Sequence, residues 1–227
     1  NATGYRTILA GMQHVAAGED GPEVIGYDEE LEHENIQAKT VSTAAEAFLN
    51  GQPTEPFFLD VGYQETHLRY PDVTVEASRY IRTPDPLPDT PEIRRMTAGY
   101  HESARRMDEG HGRVLDALER NGLADNTLVI CTTDHGLAYP GMKCNLTDHG
   151  MGVFLIMRGP GGFDGGKVCD GLVSQIDIFP TLCDLLQIDK PLWLQGTSLI
   201  PLVSGEAEEV NGHVFSEVTF HAAYEPQ

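Results

Sequence analysis

The strongest constraint on the fold is a long amphipathic helix that leads into a short, apolar segment. Apolar residues recur at helical spacing between Met96 and Leu118, which predicts a helix over Glu92–Asn121. The segment that follows, Thr127–Thr132, has the sequence TLVICT and no charged residue. A strand this apolar is typical of a parallel sheet that is covered on both faces. Together, the two segments predict an α/β protein.

The same alternation of strands and helices continues along the chain. Further strands are predicted at Arg6–Ala10, Pro56–Tyr63, Val153–Met157 and His213–Val218, and further helices at Asn35–Leu49 and Ile176–Leu186. Five prolines between Pro71 and Pro91 predict an extended surface segment there. This alternation favours a mostly parallel sheet with helices on both faces.

The composition argues against two classes of partner. The chain has 35 acidic and 15 basic residues, which gives a formal net charge of -20 at pH 7. Nucleic acid and anionic membranes are therefore unfavourable partners. No apolar run approaches the roughly 20 residues that span a bilayer. The four cysteines form no CxxC pair, which argues against a zinc site, and the sequence leaves the oligomeric state open.

Polar residues directly follow the most apolar strand. Asp134, His135 and Gly136 come after TLVICTT, at the place where open α/β sheets bind their ligands. The carboxylate and the imidazole suit a divalent cation. An Asp-His-Gly turn held by an Asx hydrogen bond explains the same three residues without any metal. Lys143, eight residues after His135, offers a cation for a tetrahedral anion, although an isolated loop lysine is usually just solvent-exposed.

A longer stretch around these residues resembles a family signature. Residues 127–162 read TLVICTTDHGLAYPGMKCNLTDHGMGVFLIMRGPGG. This is similar to the sulfatase pattern of an apolar strand, Asp-His-Gly, Gly-x-Lys-x-x-Leu-x-Asp-x-Gly and a strand ending in Arg-x-Pro. The later segments VSQIDIFPTLCDLLQI and LQGTSLIPLVSG resemble the helix and loop that follow in that family. The chain resembles the formylglycine-dependent sulfatases of the alkaline-phosphatase-like superfamily, and above all the branch related to heparan N-sulfatases.

The resemblance implies a fold, a domain division and roles for two histidines. The implied fold is the alkaline-phosphatase-like sulfatase fold, incomplete at both ends, with a partial catalytic domain over 1–205 and the start of a truncated C-terminal subdomain over 206–227. PFFLDVGYQETHLRYP is similar to the family strand whose histidine contacts the sulfate group, which gives that role to His67. GYRTILAGMQHV is similar to a motif whose histidine acts near the leaving group or the nucleophile, which gives that role to His14. Met12 replaces the lysine of that motif and supplies no cation.

The resemblance also implies a nucleophile and a metal ion. In sulfatases a formylglycine, made from Cys or Ser in a Cys/Ser-x-Pro/Ala-x-Arg motif, attacks sulfur while a calcium ion holds the sulfate. The equivalents of Asp134 and His135 bind Ca²⁺, and Lys143 joins the two histidines as a catalytic residue. The chain contains neither this motif nor the family's paired N-terminal aspartates. We therefore expect an internal piece of a longer enzyme that, alone, is inactive and poorly soluble.

Three functions remain open at this point. The first is metal-assisted hydrolysis of a sulfate ester or a sulfamate, with a glycan or a small molecule as substrate. The second is hydrolysis of phosphate or phosphonate esters with Mn or Zn, as in other members of the superfamily. Lys143 within its loop favours the sulfatase over this second function. The third is a non-catalytic homologue or fragment, which the loss of a cation at Met12 favours.

Overall fold

The first of two units, Asn1–Ala124, is built on a three-stranded parallel sheet. The computed structural model of the chain describes residues 3–16, 21–164 and 166–218. Strand β1 (Arg6–Gly11) lies between β2 (Glu29–Glu30) and β3 (Phe57–Gly62) and runs parallel to both. Ile8, Leu9 and Ala10 are fully buried, as expected for the middle strand of a covered sheet.

Helices supply most of the core of this unit. Its described helices are α1 (Gly21–Val24), α2 (Ala38–Asn50), α3 (Val75–Ser78) and α4 (Pro91–Arg120). The buried core joins Ala10 of β1 to Tyr63 and to the α2 residues Ala38, Val41 and Ala45. Gly110 lets α4 approach α2 closely, because a Cβ at this position would lie 3.1 Å from the Ala38 Cβ.

Helix α4 begins where its sequence indicates. The Thr90 hydroxyl accepts a hydrogen bond from the Ile93 backbone N–H at 3.3 Å. Pro91 occupies the first helical position. A backbone N–H at this position has no partner within the helix, so proline loses no helical hydrogen bond there. Within the body of the helix, Glu102 accepts hydrogen bonds from Arg105 and Arg106, each at 2.9 Å. Such pairs one turn apart stabilise the exposed face of a helix.

The predicted strands and helices of the first unit are confirmed, with small differences at their ends. The strands expected at 6–10 and 56–63 are β1 and β3, and the helices expected at 35–49 and 92–121 are α2 and α4. The proline-rich segment 71–91 differs from the expectation because it contains the short helix α3. The Thr74 hydroxyl begins this helix by accepting a hydrogen bond from the Ala77 N–H at 3.2 Å.

The second unit, Asp125–Gln227, contains an antiparallel strand pair. Strand β4 (Val129–Thr132) pairs with β5 (Leu155–Arg158). Both strands were predicted, but the apolar β4 was expected to run parallel to its neighbour. A parallel pair needs a crossover, usually through a long helix. The connection 133–154 is fully described and contains only the short helix α5 (Asp148–Met151), so the chain reverses direction instead.

The buried carboxylate of Asp177 connects several segments of the second unit by hydrogen bonds. A 3-10 turn leads into helix α6 (Ile178–Leu185), and helix α7 spans Ile200–Ser204. Asp177, at the start of α6, is 1% exposed. Its carboxylate accepts hydrogen bonds of 2.8, 2.7 and 2.8 Å from Ser174 N, Thr197 N and Asn211 Nδ2. One side chain thereby joins three separate segments and satisfies their polar groups.

The strand predicted at His213–Val218 is absent from the described structure. These residues are exposed and lie in neither a strand nor a helix. A strand needs a neighbour with which to exchange backbone hydrogen bonds, and no described strand pairs with this segment. The predicted subdomain over 206–227 lies partly outside the described residues and stays a prediction. Among the described helices, none has the length and apolar character needed to cross a membrane.

Candidate functional site

The two predicted catalytic histidines follow neighbouring strands of the first unit. His14 comes three residues after Gly11, the last residue of β1, and His67 comes five residues after Gly62, the last residue of β3. Gly11 and Gly62 are partners in the register of the two parallel strands. The chain therefore leaves the sheet at the same edge in both places. This carboxyl edge is where parallel sheets bind ligands.

The two strand ends touch, and this contact requires glycine. Gly11 has φ +91°, and a Cβ at this position would lie 2.2 Å from the Gly62 carbonyl oxygen. A Cβ at Gly62 would lie 2.0 Å from the Met12 carbonyl oxygen. The Met12 N–H donates a hydrogen bond to the Gly62 carbonyl at 2.9 Å. The loops that carry His14 and His67 therefore begin side by side, at the backbone contact between β1 and β3.

The His67 ring is oriented by the backbone beside it. Its Nδ1 lies 2.6 Å from the Leu68 carbonyl oxygen, which can only accept a hydrogen bond. Nδ1 therefore carries a proton, and in the neutral ring Nε2 carries the lone pair. The loop is tied to the start of α2, where the Glu65 carboxylate accepts a hydrogen bond from the Ala38 N–H at 2.8 Å. This geometry leaves Nε2 as the nitrogen that can accept or return a proton.

His14 is exposed, and the residue before it shapes its turn. The Gln13 side-chain oxygen accepts hydrogen bonds from the backbone N–H groups of Val15 and Ala16, at 2.8 and 2.9 Å. The Gln13 side-chain nitrogen donates to the Ala16 carbonyl at 2.8 Å. Gln13 therefore holds the backbone that follows His14. Sequence reasoning gave Gln13 no such role, because a glutamine has no strong preference for turns of this kind.

Burial shifts the pKa of two residues near the sheet. Tyr27 donates a short hydrogen bond to Asp60 of β3. Burial and this carboxylate raise the pKa of Tyr27 well above its usual range. On α4, burial lowers the pKa of His111, and the nearby Asp108 partly opposes that shift. The His111 ring lies 5.1 Å from the Tyr63 ring, so it belongs to the packing behind the sheet edge.

In the second unit, the predicted metal ligands Asp134 and His135 lie side by side. They follow β4, and the His135 Nε2 lies 3.3 Å from an Asp134 carboxylate oxygen. The other carboxylate oxygen accepts a hydrogen bond from the His135 N–H at 3.0 Å. The His135 Nδ1 lies 2.8 Å from the Gly136 carbonyl, so Nδ1 is protonated and Nε2 is the nitrogen that can bind a metal.

The loop that carries Lys143 is held against this turn. The Gly136 N–H donates to the Gly150 carbonyl at 2.9 Å, and the Lys143 N–H donates to the Leu137 carbonyl at 2.9 Å. Gly136 must be glycine, because a Cβ would lie 1.8 Å from the His149 carbonyl oxygen. The Thr147 hydroxyl accepts from the Gly150 N–H at 3.2 Å and begins α5. Lys143 is half-buried within this fixed loop.

The chemistry of Asp134 and His135 fits part of a divalent-cation site. A carboxylate oxygen and an imidazole nitrogen this close can both contact one ion, and Asp134 is 75% exposed at its side chain. Ca²⁺ takes six to eight ligands, mostly oxygen, so two donors cannot complete its coordination. Within the described residues, no group of three or more His, Cys, Asp or Glu is arranged to hold a metal. Any cation here needs further ligands.

Comparison with known proteins decides the family. The sulfatase family model matches residues 1–188 of the 227. The chain belongs to the sulfatase family. This match confirms the resemblance predicted from residues 127–162, and it includes all five predicted site residues.

Relatives of known function and solved structures agree with this membership. The chain is 28% identical to human N-sulphoglucosamine sulphohydrolase over 96% of its own length and 51% of that protein's. It is 27% identical to an ulvan-active sulfatase from Formosa agariphila over 93% of its own length and 42% of that protein's. A putative sulfatase from Bacteroides thetaiotaomicron superposes with a TM-score of 0.68 at 21% identity, over 94% of this chain and 56% of that one. The sulfatase fold predicted from the sequence is therefore confirmed.

The chain is short compared with these proteins. It spans 51% of human N-sulphoglucosamine sulphohydrolase and 42% of the Formosa sulfatase.

Proposed function

We propose that this chain forms part of a hydrolase that removes a sulfate group from a sulfate ester or a sulfamate, with a sulfated glycan as substrate. The observation that carries this proposal is membership of the sulfatase family over residues 1–188. The relative that matches 96% of the chain is named for hydrolysis of N-sulphoglucosamine, which favours a sulfamate on an amino sugar. A second relative is named for activity on ulvan.

The proposed roles follow from the chemistry of each side chain. Asp134 and His135 would hold a divalent cation through a carboxylate oxygen and the His135 Nε2, and we propose calcium for this cation. When bound, the cation neutralises negative charge on the sulfate group. Lys143 adds a second positive charge for the same anion. Lys143, together with a bound cation, would stabilise a transition state in which negative charge develops on the leaving atom.

The two histidines of the first unit are proposed to handle the leaving group. His67 has a protonated Nδ1 on the Leu68 carbonyl, so its Nε2 is the atom that exchanges protons with the substrate. His14 follows the neighbouring strand and is proposed to contact the leaving oxygen or nitrogen. Positioned proton transfer of this kind contributes about 10²- to 10⁴-fold to a rate. Met12 supplies no cation beside them, so the positive charge of this site depends on other residues.

The proposal is tested on the complete gene product that carries this chain. Sulfate release is measured from N-sulfoglucosamine and from p-nitrocatechol sulfate, with calcium present and after chelation. We expect release that chelation abolishes. His67→Ala should lower kcat by at least about 100-fold. The matched control is His101→Ala, at an exposed histidine of α4 with no proposed role, which should change kcat less than about twofold.

Two results would redirect the proposal. Release of phosphate from matched phosphate esters, without release of sulfate, would assign the chain to the phosphate-ester branch of the superfamily. Absence of both activities in the complete gene product would identify a non-catalytic homologue.

A further inference from the structure

A groove in the first unit is lined in part by the loop that follows His67. It encloses about 230 Å³ and is lined by residues 68–73 of the loop and by Arg95, Met96 and Gly99 of α4. The loop that forms one wall begins at the residue next to His67. The lining of the groove therefore starts one residue after the proposed catalytic histidine.

The walls of the groove are held together by close packing. A Cβ at Gly99 would lie 2.7 Å from the Pro71 carbonyl oxygen and 3.0 Å from the Tyr70 Cβ. Glycine at this position is therefore what lets the loop lie against α4. The Tyr70 and Tyr100 rings also meet edge to face, with centroids 5.6 Å apart. The groove is thus a fixed feature of the fold, as expected of a binding site.

The lining of this groove contains more basic than acidic residues, although the chain is strongly acidic. Two guanidinium groups line it, those of Arg69 and Arg95, against the single lining carboxylate of Asp72. Arg69 is exposed, and no ion pair to it is found within the described part of the chain. Arg95 lies 3.5 Å from Glu92, whose side chain is 72% exposed, and such an exposed pair holds an arginine weakly.

The neighbouring Arg94, in contrast, has a clear structural role. Arg94 donates to both carboxylate oxygens of Asp89, and it donates to the Arg79 carbonyl at 2.7 Å. Its hydrogen-bonding capacity is used in holding the proline-rich segment to α4, and it does not line the groove. Arg69 and Arg95 have no comparable structural role. Their planar forks match carboxylate and sulfate groups, which accept two parallel hydrogen bonds.

We propose that this groove binds a second anionic group of the substrate, a carboxylate or a sulfate, next to the sulfate that is removed. Arg69 and Arg95 bind the anion, and the apolar parts of Leu68, Val73 and Met96 contact the sugar ring that carries it. This inference rests on the proposed function. It narrows the substrate class to glycans with at least two negative charges on the same or adjoining sugars.

The test compares three probes on the complete gene product. They are N-sulfoglucosamine, its 6-O-sulfated form, and N-sulfoglucosamine joined to glucuronic acid. Arg69→Ala and Arg69→Gln should each lower kcat/KM about tenfold for at least one doubly charged probe, because one charge-assisted contact is lost. They should leave kcat/KM for N-sulfoglucosamine within about twofold. Arg82→Ala, at an arginine with an 88% exposed side chain away from the groove, is the matched control.

The outcomes separate this inference from the proposed function. The probe whose kcat/KM falls identifies the second anion as sulfate or carboxylate. Equal losses on all three probes, or no loss on any, would overturn the groove assignment while leaving the sulfatase activity in place. If the wild type hydrolyses none of the probes, the proposed function fails. Calorimetric titration then still decides the groove, because Arg69→Ala must raise the Kd of a doubly charged probe about tenfold relative to the control variant.

Discussion

The contact between the ends of β1 and β3 can be tested by adding one methyl group at Gly11. This glycine has φ +91°, and a Cβ would lie 2.2 Å from the Gly62 carbonyl oxygen and 2.8 and 2.9 Å from the two Val41 methyl groups. The left-handed conformation costs a residue with a Cβ about 1–2 kcal/mol. Overpacking of a buried site adds about 1–3 kcal/mol. We expect Gly11→Ala to lower the free energy of unfolding by roughly 2–5 kcal/mol.

The matched control is Gly26→Ala, which separates these two costs. Gly26 has φ +99°, but a Cβ there would meet no heavy atom within 4 Å. It should therefore lose only the conformational part, about 1–2 kcal/mol. Both variants are measured by urea denaturation followed by circular dichroism. Equal losses in the two variants would refute the reasoning, because the strand ends could then separate freely and would not fix the loops of His14 and His67.

The remaining predictions concern side chains in both units. Asp177→Ala removes a buried carboxylate that accepts three hydrogen bonds, and it should lower the free energy of unfolding by about 3–5 kcal/mol in urea denaturation. The control is Asp184→Ala, at a carboxylate paired with Lys190 on the surface. This variant should lower the free energy of unfolding by under about 1 kcal/mol. Thr147→Ala removes the cap of α5 and should cost about 1 kcal/mol, with Thr147→Ser costing less; identical losses would contradict a capping role. Burial lowers the pKa of His111 below 6.5, so its contribution to stability is complete above pH 6.5 and is lost as the pH falls through the folded pKa. His111→Gln should therefore lose less stability than the wild type between pH 7 and pH 5, and an equal loss would show that another group causes the pH dependence.

The three longest helices and most strands could be predicted from the sequence because local patterns determine them. The apolar spacing over 92–121 predicts the helix that the structure contains as α4. Strand β2 could not be predicted, because it consists of Glu29 and Glu30 and has no apolar pattern. It forms through hydrogen bonds to β1, supported by the ion pair of Glu29 with Arg6. The antiparallel direction of β4 was not predicted either. The apolar composition of a strand indicates that it is buried, but it does not indicate in which direction the neighbouring strand runs.

The sequence led to a prediction of the chemical groups of the candidate site, but it carried no signal for the residues that support the loops of this site. Motif resemblance pointed to His14, His67 and the residues after β4, because their types and spacing are restricted. Gln13 and Glu65, which hold the loops around the two histidines, carry no such signal. A polar side chain finds a backbone partner only once the loop has its three-dimensional course, and no local pattern records that course.

The carboxylate of Asp177 sets an order of events during synthesis. Its third donor, Asn211, is 34 residues further along the chain. At roughly 5–20 residues per second, a ribosome needs about 2 to 7 s to add that stretch. Throughout this interval the Asp177 side chain has its nearest donor at Ser174 but lacks the last of its three. The second unit therefore cannot complete the hydrogen bonds of this carboxylate before its C-terminal part has been made.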